Sequence, residues 1–161
     1  MSKVICPPNV LEEIGLDELL KRVIELKHEG LRLAQACAAY AQGKLELSYS
    51  FANDETYELT TLRVVTDIDT EVPSITEIIP AAVFYENEMK EMFDVKIQQL
   101  SLDFDKKLYR IEEDAPLLPE SVKEERRAAA AEAAAGEQAQ EAGQVLPEQT
   151  AAETEKKEAE D

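Results

Sequence analysis

The chain of 161 residues carries a formal net charge of -18, with 35 acidic against 17 basic side chains. Nucleic acids and anionic membranes are therefore poor partners, because both are bound by an excess of Lys and Arg. A basic protein surface is the natural complement, since opposite charges steer two proteins together. No segment approaches the roughly 20 apolar residues of a membrane-spanning helix, and the N-terminus lacks the apolar core of a signal peptide. We therefore expect a soluble chain in the cytoplasm.

The composition divides the chain into three regions. Residues 1–15 are a lead-in, residues 16–119 are one folded domain, and residues 120–161 are a low-complexity acidic tail. All of the 5 Tyr and 4 Phe residues occur at or before Tyr109, whereas the tail consists mostly of Ala, Glu and Gln. The tail has high helix propensity but no apolar face, and it has too little to bury to offset the entropy of ordering. We predict that it is disordered.

The first predicted element is a helix that begins at Asp17, a residue type that caps the first turn, and ends near Gly30. Leu and Val recur along it at three- and four-residue steps, which predicts one face packed on a core: Leu16, Leu19, Leu20, Val23 and Leu26. The last turn contains His28, the only histidine. Its cationic form interacts favourably with the negative end of a helix, so we interpret it as structural and not catalytic.

The segment after this helix leads into β structure. Residues 31–42 are ambiguous, because their alanines favour a helix while Leu31, Leu33 and Cys37 lie at even spacings that suit a strand. The next residues alternate strictly between apolar and polar, which predicts a strand with one buried face formed by Leu45, Leu47, Tyr49 and Phe51.

A second β-rich run covers residues 57–66. The phase of its apolar residues changes between Leu59 and Leu62, which predicts a bulge at that point. Residues 95–109 are partly apolar and are predicted to be extended, and the prolines that follow end the folded domain.

A second helix is predicted between these β-rich regions. The segment from Ser74 to Glu77 has the composition of a capping box, in which a hydroxyl and a carboxylate satisfy each other's backbone donors, and a short turn should follow. Pro80 suits the first position of a helix over Ala81 to Phe93. Glu86 and Lys90 are expected to pair on its outer side. One apolar face is predicted from Tyr85, Met89, Met92 and Phe93.

Chemically competent residues are few. The acidic residues of the second helix could act as acid and base or hold a metal, namely Glu86, Glu88, Glu91 and Asp94. No His lies nearby to complete a helical di-iron site, so we interpret them as a solvated or interface face. Cys6 and Cys37 are too few for an iron–sulfur cluster and are predicted to be reduced thiols, with Cys37 a small buried residue. Without a glycine-rich nucleotide motif either, we predict no catalytic, cofactor-binding or metal-binding residue.

The segment from Val72 to Val95, VPSITEIIPAAVFYENEMKEMFDV, resembles the signature of the 30 kDa subunit family of respiratory complex I, the NADH-quinone oxidoreductase. In that family a V-P-S-V/I-T segment leads into a helix with an aromatic-Tyr-Glu-Arg-Glu motif. The positions that match are Ser74, Thr76, Tyr85, Glu86, Glu88 and Phe93. The order of helix, β-meander and helix extends the resemblance over about residues 16–112, and it implies that residues 31–40 are a strand.

The chain departs from the family pattern near the end of the motif. Asn87 stands where the family usually has Arg, Glu91 replaces Asp and Asp94 replaces Gly. The Gly-His-Pro and Arg-rich stretch that ordinarily follows is absent. These departures disfavour the quinone-reducing branch, whereas residues 30–51, GLRLAQACAAYAQGKLELSYSF, are more similar to the shorter homologues in membrane-bound, energy-converting nickel-iron hydrogenases.

The expected fold is α+β, with an N-terminal helix, an antiparallel-rich sheet of three to four strands and a second helix. The resemblance implies a non-catalytic subunit with no cofactor of its own. It would be peripheral on the inner face of the cell membrane, packed against the catalytic nickel-iron large subunit and the iron–sulfur small subunit. The matching residues would then be interface or framework residues, and plain core packing is an equal alternative for Tyr85 and Phe93.

Other functions are compatible with the same sequence. The chain could be a component of an NADH:quinone oxidoreductase. It could instead be a free-standing acidic adaptor whose tail recruits basic clients, and it would then migrate partly alone in native extracts. A small carboxylate-dependent hydrolase is a third alternative, which a pH-rate profile would reveal.

Overall fold

The computed structural model describes residue 7 and residues 9–129 of the chain. Two units are distinguished, Met1–Pro119 and Glu120–Asp161. A 3-10 turn, Leu16–Glu18, precedes the first helix. In chain order the other elements of the first unit are β1 (Asn9–Glu13), α1 (Leu19–His28), β2 (Arg32–Ala41), β3 (Lys44–Ala52), β4 (Leu59–Thr66), β5 (Glu71–Pro73), α2 (Ala82–Phe93) and β6 (Lys96–Gln98). The predicted α+β fold class is confirmed.

Strands β1 to β4 form one sheet in the order β1-β4-β3-β2. The β2–β3 and β3–β4 pairs are antiparallel, whereas β1 joins β4 in parallel. Gln42 and Gly43 connect β2 to β3, with φ of 52° and 83°, between the paired residues Ala41 and Lys44. Two successive positive φ angles give the turn a twist that matches a right-handed hairpin. The ambiguous segment after α1 is therefore a strand, as the family resemblance implied.

Strand β1 lies within the region predicted to be only a lead-in. Its side chains are mostly exposed, so no apolar alternation marks it in the sequence. Its backbone pairs with β4 along its whole length. Glu12 also accepts two hydrogen bonds from the guanidinium of Arg22 on α1, at 2.8 and 2.9 Å. Backbone pairing and this bidentate ion pair hold β1 in place, and periodicity reveals neither of them.

The bulge predicted in β4 is wrong, because the irregularity lies in β2. β4 pairs with β3 without a break, whereas the β2 register shifts between Leu33 and Gln35. An extra residue reverses the side to which the following side chains point. Ala36 is therefore buried and Cys37 exposed, so the prediction that Cys37 is a buried residue is wrong. Cys6 lies outside the described residues.

The hydrophobic core joins α1 to one face of the sheet. The predicted apolar face of α1 is confirmed, since Leu19, Val23 and Leu26 are buried. The strict alternation of β3 is also confirmed, and its inward residues are Leu45, Leu47, Tyr49 and Phe51. His28 occupies the last turn of α1, as predicted.

A second sheet, of two strands, joins the segments on either side of α2. Strands β5 and β6 pair in parallel, with Val72 opposite Ile97. The backbone N–H of Ser74 continues this ladder by donating to the Gln98 carbonyl at 2.9 Å. The segment that precedes α2 is thereby held beside the segment that follows it.

The second unit is described only through residue 129. Residues 120–129 are helical, and Lys123 forms an ion pair with Glu120 at 2.9 Å. The remainder of the predicted disordered tail, residues 130–161, lies outside the described residues. Within the described part of the chain, no helix is long and apolar enough to cross a membrane.

Candidate functional site in the second helix

Helix α2 begins after Pro80 and Ala81, ends at Phe93 and is capped by Asp94, close to the predicted bounds. Asp94 has a left-handed backbone with φ of 54°, a conformation that Gly adopts freely and Asp tolerates. Its carboxylate forms ion pairs with Lys96, at 2.7 Å, and with Lys106. Burial raises the pKa of Asp94, but hydrogen bonds from the two lysines outweigh this effect and hold it below its usual value.

The carboxylate of Glu86 lies at the centre of the site and is 0% exposed. It accepts a hydrogen bond from the Ser74 hydroxyl at 2.5 Å and another from the Ile75 backbone N–H at 2.8 Å. The Ser74 oxygen in turn lies 2.6 Å from the Thr76 hydroxyl and accepts the Thr76 N–H at 3.1 Å. The capping box predicted between Ser74 and Glu77 is therefore wrong, because Ser74 is bonded to Glu86. The short turn that was predicted there does form, with two N–H groups donating to the Ile75 carbonyl.

These bonds form a directed chain. The Ser101 N–H donates to the Thr76 hydroxyl at 3.1 Å. Because the single Ser74 hydroxyl proton is donated to Glu86, the Thr76 hydroxyl must donate to Ser74. The network therefore runs from the loop after β6 to the carboxylate of α2, with each hydroxyl both donating and accepting.

Burial dominates the electrostatics of Glu86. Desolvation raises the pKa of its carboxyl, and the hydrogen bonds from Ile75 and Ser74 only partly oppose this effect. The nearby Tyr49 hydroxyl is also fully buried, and among the described residues it has no hydrogen-bond partner. Desolvation, and then the charge of Glu86, raises the pKa of Tyr49.

Asn87, the next residue along α2, is also buried. Its amide nitrogen donates to the Leu102 carbonyl at 2.9 Å, and its amide oxygen accepts the Phe104 N–H at 2.9 Å. The same nitrogen donates to the Val83 carbonyl at 2.7 Å. One side chain thereby holds an irregular segment of backbone against the helix.

Glu91 performs the same function one turn later. It is buried, and its carboxylate accepts the Leu108 N–H at 2.7 Å and the Tyr109 N–H at 3.1 Å. We call residues 101–111 the strap, because Asn87 and Glu91 fasten them along α2. The sequence pattern did not identify Asn87 and Glu91 as framework residues. Both differ from the residue that is usual in the family, and that difference is the signal that could have identified them.

The carboxylates of α2 do not form the solvated or interface face that was predicted. Glu86 and Glu91 are buried, whereas Glu88 is half-buried. The predicted pair of Glu86 and Lys90 is also wrong, since Lys90 pairs with Asp103. Tyr85 is half-buried, and its hydroxyl donates to the Ala34 carbonyl at 3.3 Å.

Of the six positions that match the family motif, only three lie together in the structure. Ser74, Thr76 and Glu86 share one buried network. Tyr85 and Phe93 pack against the hydrophobic core, whereas Glu88 lies outside both groups. An interface role therefore remains a prediction for the partly exposed residues, while burial makes Glu86 a framework residue.

The lysines near the end of α2 are already paired with carboxylates. Among the described residues, no three His, Cys, Asp or Glu side chains lie together as metal ligands would. A cleft of about 460 Å³ beside the end of α2 is lined by Lys90, Lys96 and Lys106, but each of these lysines is paired with Asp94 or Asp103. Burial, and then the charge of Glu88, raises the pKa of Cys37, which makes a poorer thiolate nucleophile.

The class of protein defined by these features is an α+β domain whose second helix uses its polar side chains to organise its own backbone. The chain belongs to the family of the respiratory-chain NADH dehydrogenase 30 kd subunit, whose model matches residues 12–107. The match runs from β1 into the strap, and it confirms the resemblance seen in the sequence.

One solved structure supports the fold. The chain is similar to a chain of the membrane-bound sulfane sulfur reductase, an archaeal respiratory membrane complex, with a TM-score of 0.57 and 21% sequence identity. The similarity covers 70% of this chain and 68% of that chain. A sequence search of curated proteins finds no significant match. At this identity the likeness establishes a shared fold.

Proposed function

We propose that this chain is a non-catalytic structural subunit of a membrane-bound energy-converting nickel-iron hydrogenase complex related to respiratory complex I. In this function it packs against the catalytic large subunit and the iron–sulfur small subunit on the cytoplasmic side of the membrane. Electrons and protons are transferred by those partners. The chain itself holds them in position and binds no cofactor.

The observation that carries this proposal is how the second helix uses its carboxylates. Glu86 and Glu91, its two most buried acidic residues, accept hydrogen bonds from this chain's own backbone and from Ser74. A general acid or base must instead present its oxygens to a substrate. Family membership over residues 12–107 supports a subunit role for a domain organised in this way.

The choice of parent complex depends on where this sequence differs from the family pattern. Asp94, which closes α2 in a left-handed conformation, stands where the 30 kDa family usually has Gly. The Gly-His-Pro and Arg-rich stretch that ordinarily follows in that family is absent. These features favour the shorter hydrogenase homologues. The similarity to a chain of a sulfane sulfur reductase complex favours a second candidate, a sulfur-reducing complex of related architecture.

Affinity purification from the native membrane tests the proposal. A tagged full-length chain, extracted in mild detergent, is expected to co-elute with a nickel-containing large subunit and an iron–sulfur small subunit identified by mass spectrometry. Hydrogen evolution, sulfane-sulfur reduction and quinone reduction by the purified complex then distinguish the parent complexes. Recovery of the chain alone, at the mass of a monomer, would favour the free-standing adaptor instead.

A further inference from the structure

Half of the large hydrophobic side chains that are exposed in the described residues lie along the outside of α2 and in the segment after it. These are Phe84, Leu102, Tyr109, Ile111 and Leu117. Together with Phe104 we call them the α2 strip. The other exposed apolar residues are scattered over β1, α1, β4 and a loop.

Hydrogen bonds to α2 hold four residues of the strip along the helix, and Ile111 follows Tyr109 two residues later in the chain. The rings of Phe84 and Phe104 stack with their centroids 6.2 Å apart. Asn87 holds the backbone of Leu102 and Phe104, and Glu91 holds that of Tyr109. The Leu117 N–H donates to the carbonyl of Met92, near the end of α2, at 3.1 Å. With a rise of about 1.5 Å per residue, the anchoring positions 83–92 span roughly 14 Å of helix.

The strip is held in place by the fold. Buried side chains of α2 fasten the backbone of Leu102, Phe104 and Tyr109. The side chains of Phe84 and Leu102 are nevertheless 60% and 54% exposed. Exposed apolar surface that is contiguous and rimmed by polar residues is typical of a protein interaction site. A surface already ordered loses little further conformational freedom on binding, which favours tight association.

Charge determines which partner fits. Acidic residues outnumber basic ones in residues 101–117, five against three, the basic ones being Lys106, Lys107 and Arg110. A further carboxylate, that of Glu88, hydrogen-bonds to the Tyr109 side chain. The whole chain has a net charge of -18, so a second copy and an anionic membrane would both be repelled. A protein surface with an apolar centre and a rim of Lys and Arg is complementary in both respects.

We propose that the α2 strip, held in position by Asn87 and Glu91, is the surface through which this chain docks onto a partner protein whose apolar patch is rimmed by basic residues. The proposal rests on the proposed function only for the identity of that partner as a member of the parent complex. Phe84 and Leu102 are its central contacts, and Asn87 and Glu91 are positioning residues.

Rebinding to the parent complex tests this surface. Full-length chain is added to complex purified from a strain that lacks it, and the dissociation constant is measured at low and high salt. Phe84→Ser combined with Leu102→Ser should weaken binding at least tenfold. The matched control, Ile24→Ser combined with Val65→Ser, changes side chains that are 42% and 38% exposed elsewhere and should alter binding less than threefold. Higher salt should weaken binding of the wild-type chain.

Several outcomes would overturn the proposal. Equal binding by the two double variants at matched melting temperature would place the interface elsewhere. If the free chain self-associates and the Phe84 and Leu102 substitutions abolish this, the strip binds a second copy of the chain. If the strip is required for binding to anionic phospholipid vesicles, it binds a membrane.

Crosslinking separates failure of this surface from failure of the proposed function. A photoreactive residue replaces Leu102, or Ile24 as the control, in the native host. If the wild-type chain does not rebind the complex, the proposed function is wrong. Crosslinking then shows separately whether the strip contacts a partner protein. An adduct at position 102 to an identified peptide with apolar residues flanked by Lys or Arg supports the strip. No adduct above the position 24 control overturns it.

Discussion

Glu86 is a buried carboxylate that forms no ion pair with any basic residue of the described part of the chain. Burying a charge without a counter-ion is costly unless hydrogen bonds replace its hydration. Two donors, the Ser74 hydroxyl and the Ile75 N–H, supply those bonds. Glu86 therefore fixes the turn that precedes α2, which is a structural reason for its place in the family motif.

Replacing Glu86 is expected to destabilise the fold. Glu86→Ala leaves the donors of Ser74 and Ile75 buried without an acceptor and opens a cavity, which should cost about 2–4 kcal/mol of the free energy of unfolding. Glu88→Ala, on the same helix but half-buried, should cost less than about 0.5 kcal/mol. Urea denaturation of both variants measures the difference. Equal stabilities would show that the Glu86 network contributes nothing.

The pH dependence of stability provides a second test at Glu86. Because burial raises the pKa of this carboxyl in the folded state above 4.5, the folded protein binds its proton more tightly than the unfolded chain. Its contribution to stability is therefore fully present below pH 4.5 and is lost as the pH rises through the folded-state pKa. As the pH rises through that range, the wild type should therefore lose unfolding free energy relative to Glu86→Gln. A difference that does not change with pH would contradict the raised pKa.

At the scale of elements, α2 and the strap act as one structure. Asn87→Ala removes both amide bonds to the strap, so the Phe104 amide should exchange with solvent at least tenfold faster while amides of β3 are unaffected. Asn53→Ala is the matched control, since its side chain accepts the N–H groups of Glu55 and Thr56 in a distant loop. Hydrogen exchange with mass spectrometry resolves the two regions. Unchanged exchange of the strap would mean that Asn87 does not hold it.

The β2–β3 hairpin depends on its turn. Gly43 has φ of 83°, where an L side chain is strained. Gly43→Ala should therefore lower the free energy of unfolding by about 1 kcal/mol. Gly43→Asn should cost less, because Asn tolerates positive φ. Thermal unfolding ranks the variants, and equal stability of Gly43→Ala and wild type would contradict the strain.

Sequence patterns predicted the elements whose side chains alternate between core and solvent. The stripe of α1 and the alternation of β3 are of this kind, as is the extent of α2. The patterns failed where backbone contacts decide the structure. β1 is held by pairing and by Arg22, and the bulge in β2 reverses the side of Cys37 without leaving a trace in composition.

At the candidate site, too, the sequence pattern did not predict the contacts that side chains make with backbone groups. Family resemblance identified Ser74, Thr76 and Glu86, but spacing on a helix gave no sign that Glu86 and Glu91 turn inward. Their partners are N–H groups of irregular segments before and after α2. Such contacts depend on the tertiary fold, and carboxylates crowded on one helix otherwise suggest a solvated face.

At the scale of the whole molecule, the acidic charge and the proposed docking surface, the α2 strip, would together select the partner. An apolar strip alone would favour self-association, but like charges on two copies oppose it. The same charge attracts a basic partner and raises the rate at which it is met. A chain with this surface would assemble with its partner in preference to itself.

The two units of the chain should differ in their contribution to stability. Every buried hydrophobic residue of the described chain lies at or before Leu118, within the unit Met1–Pro119. Removing residues 120–161 should therefore change the free energy of unfolding by less than about 2 kcal/mol, a modest part of the stability of a single domain. Urea denaturation of the full chain and of the 1–119 fragment, followed by far-UV circular dichroism, makes the comparison. A larger loss would show that the helix of residues 120–129 contributes to the fold, and the boundary drawn after Pro119 would then be wrong.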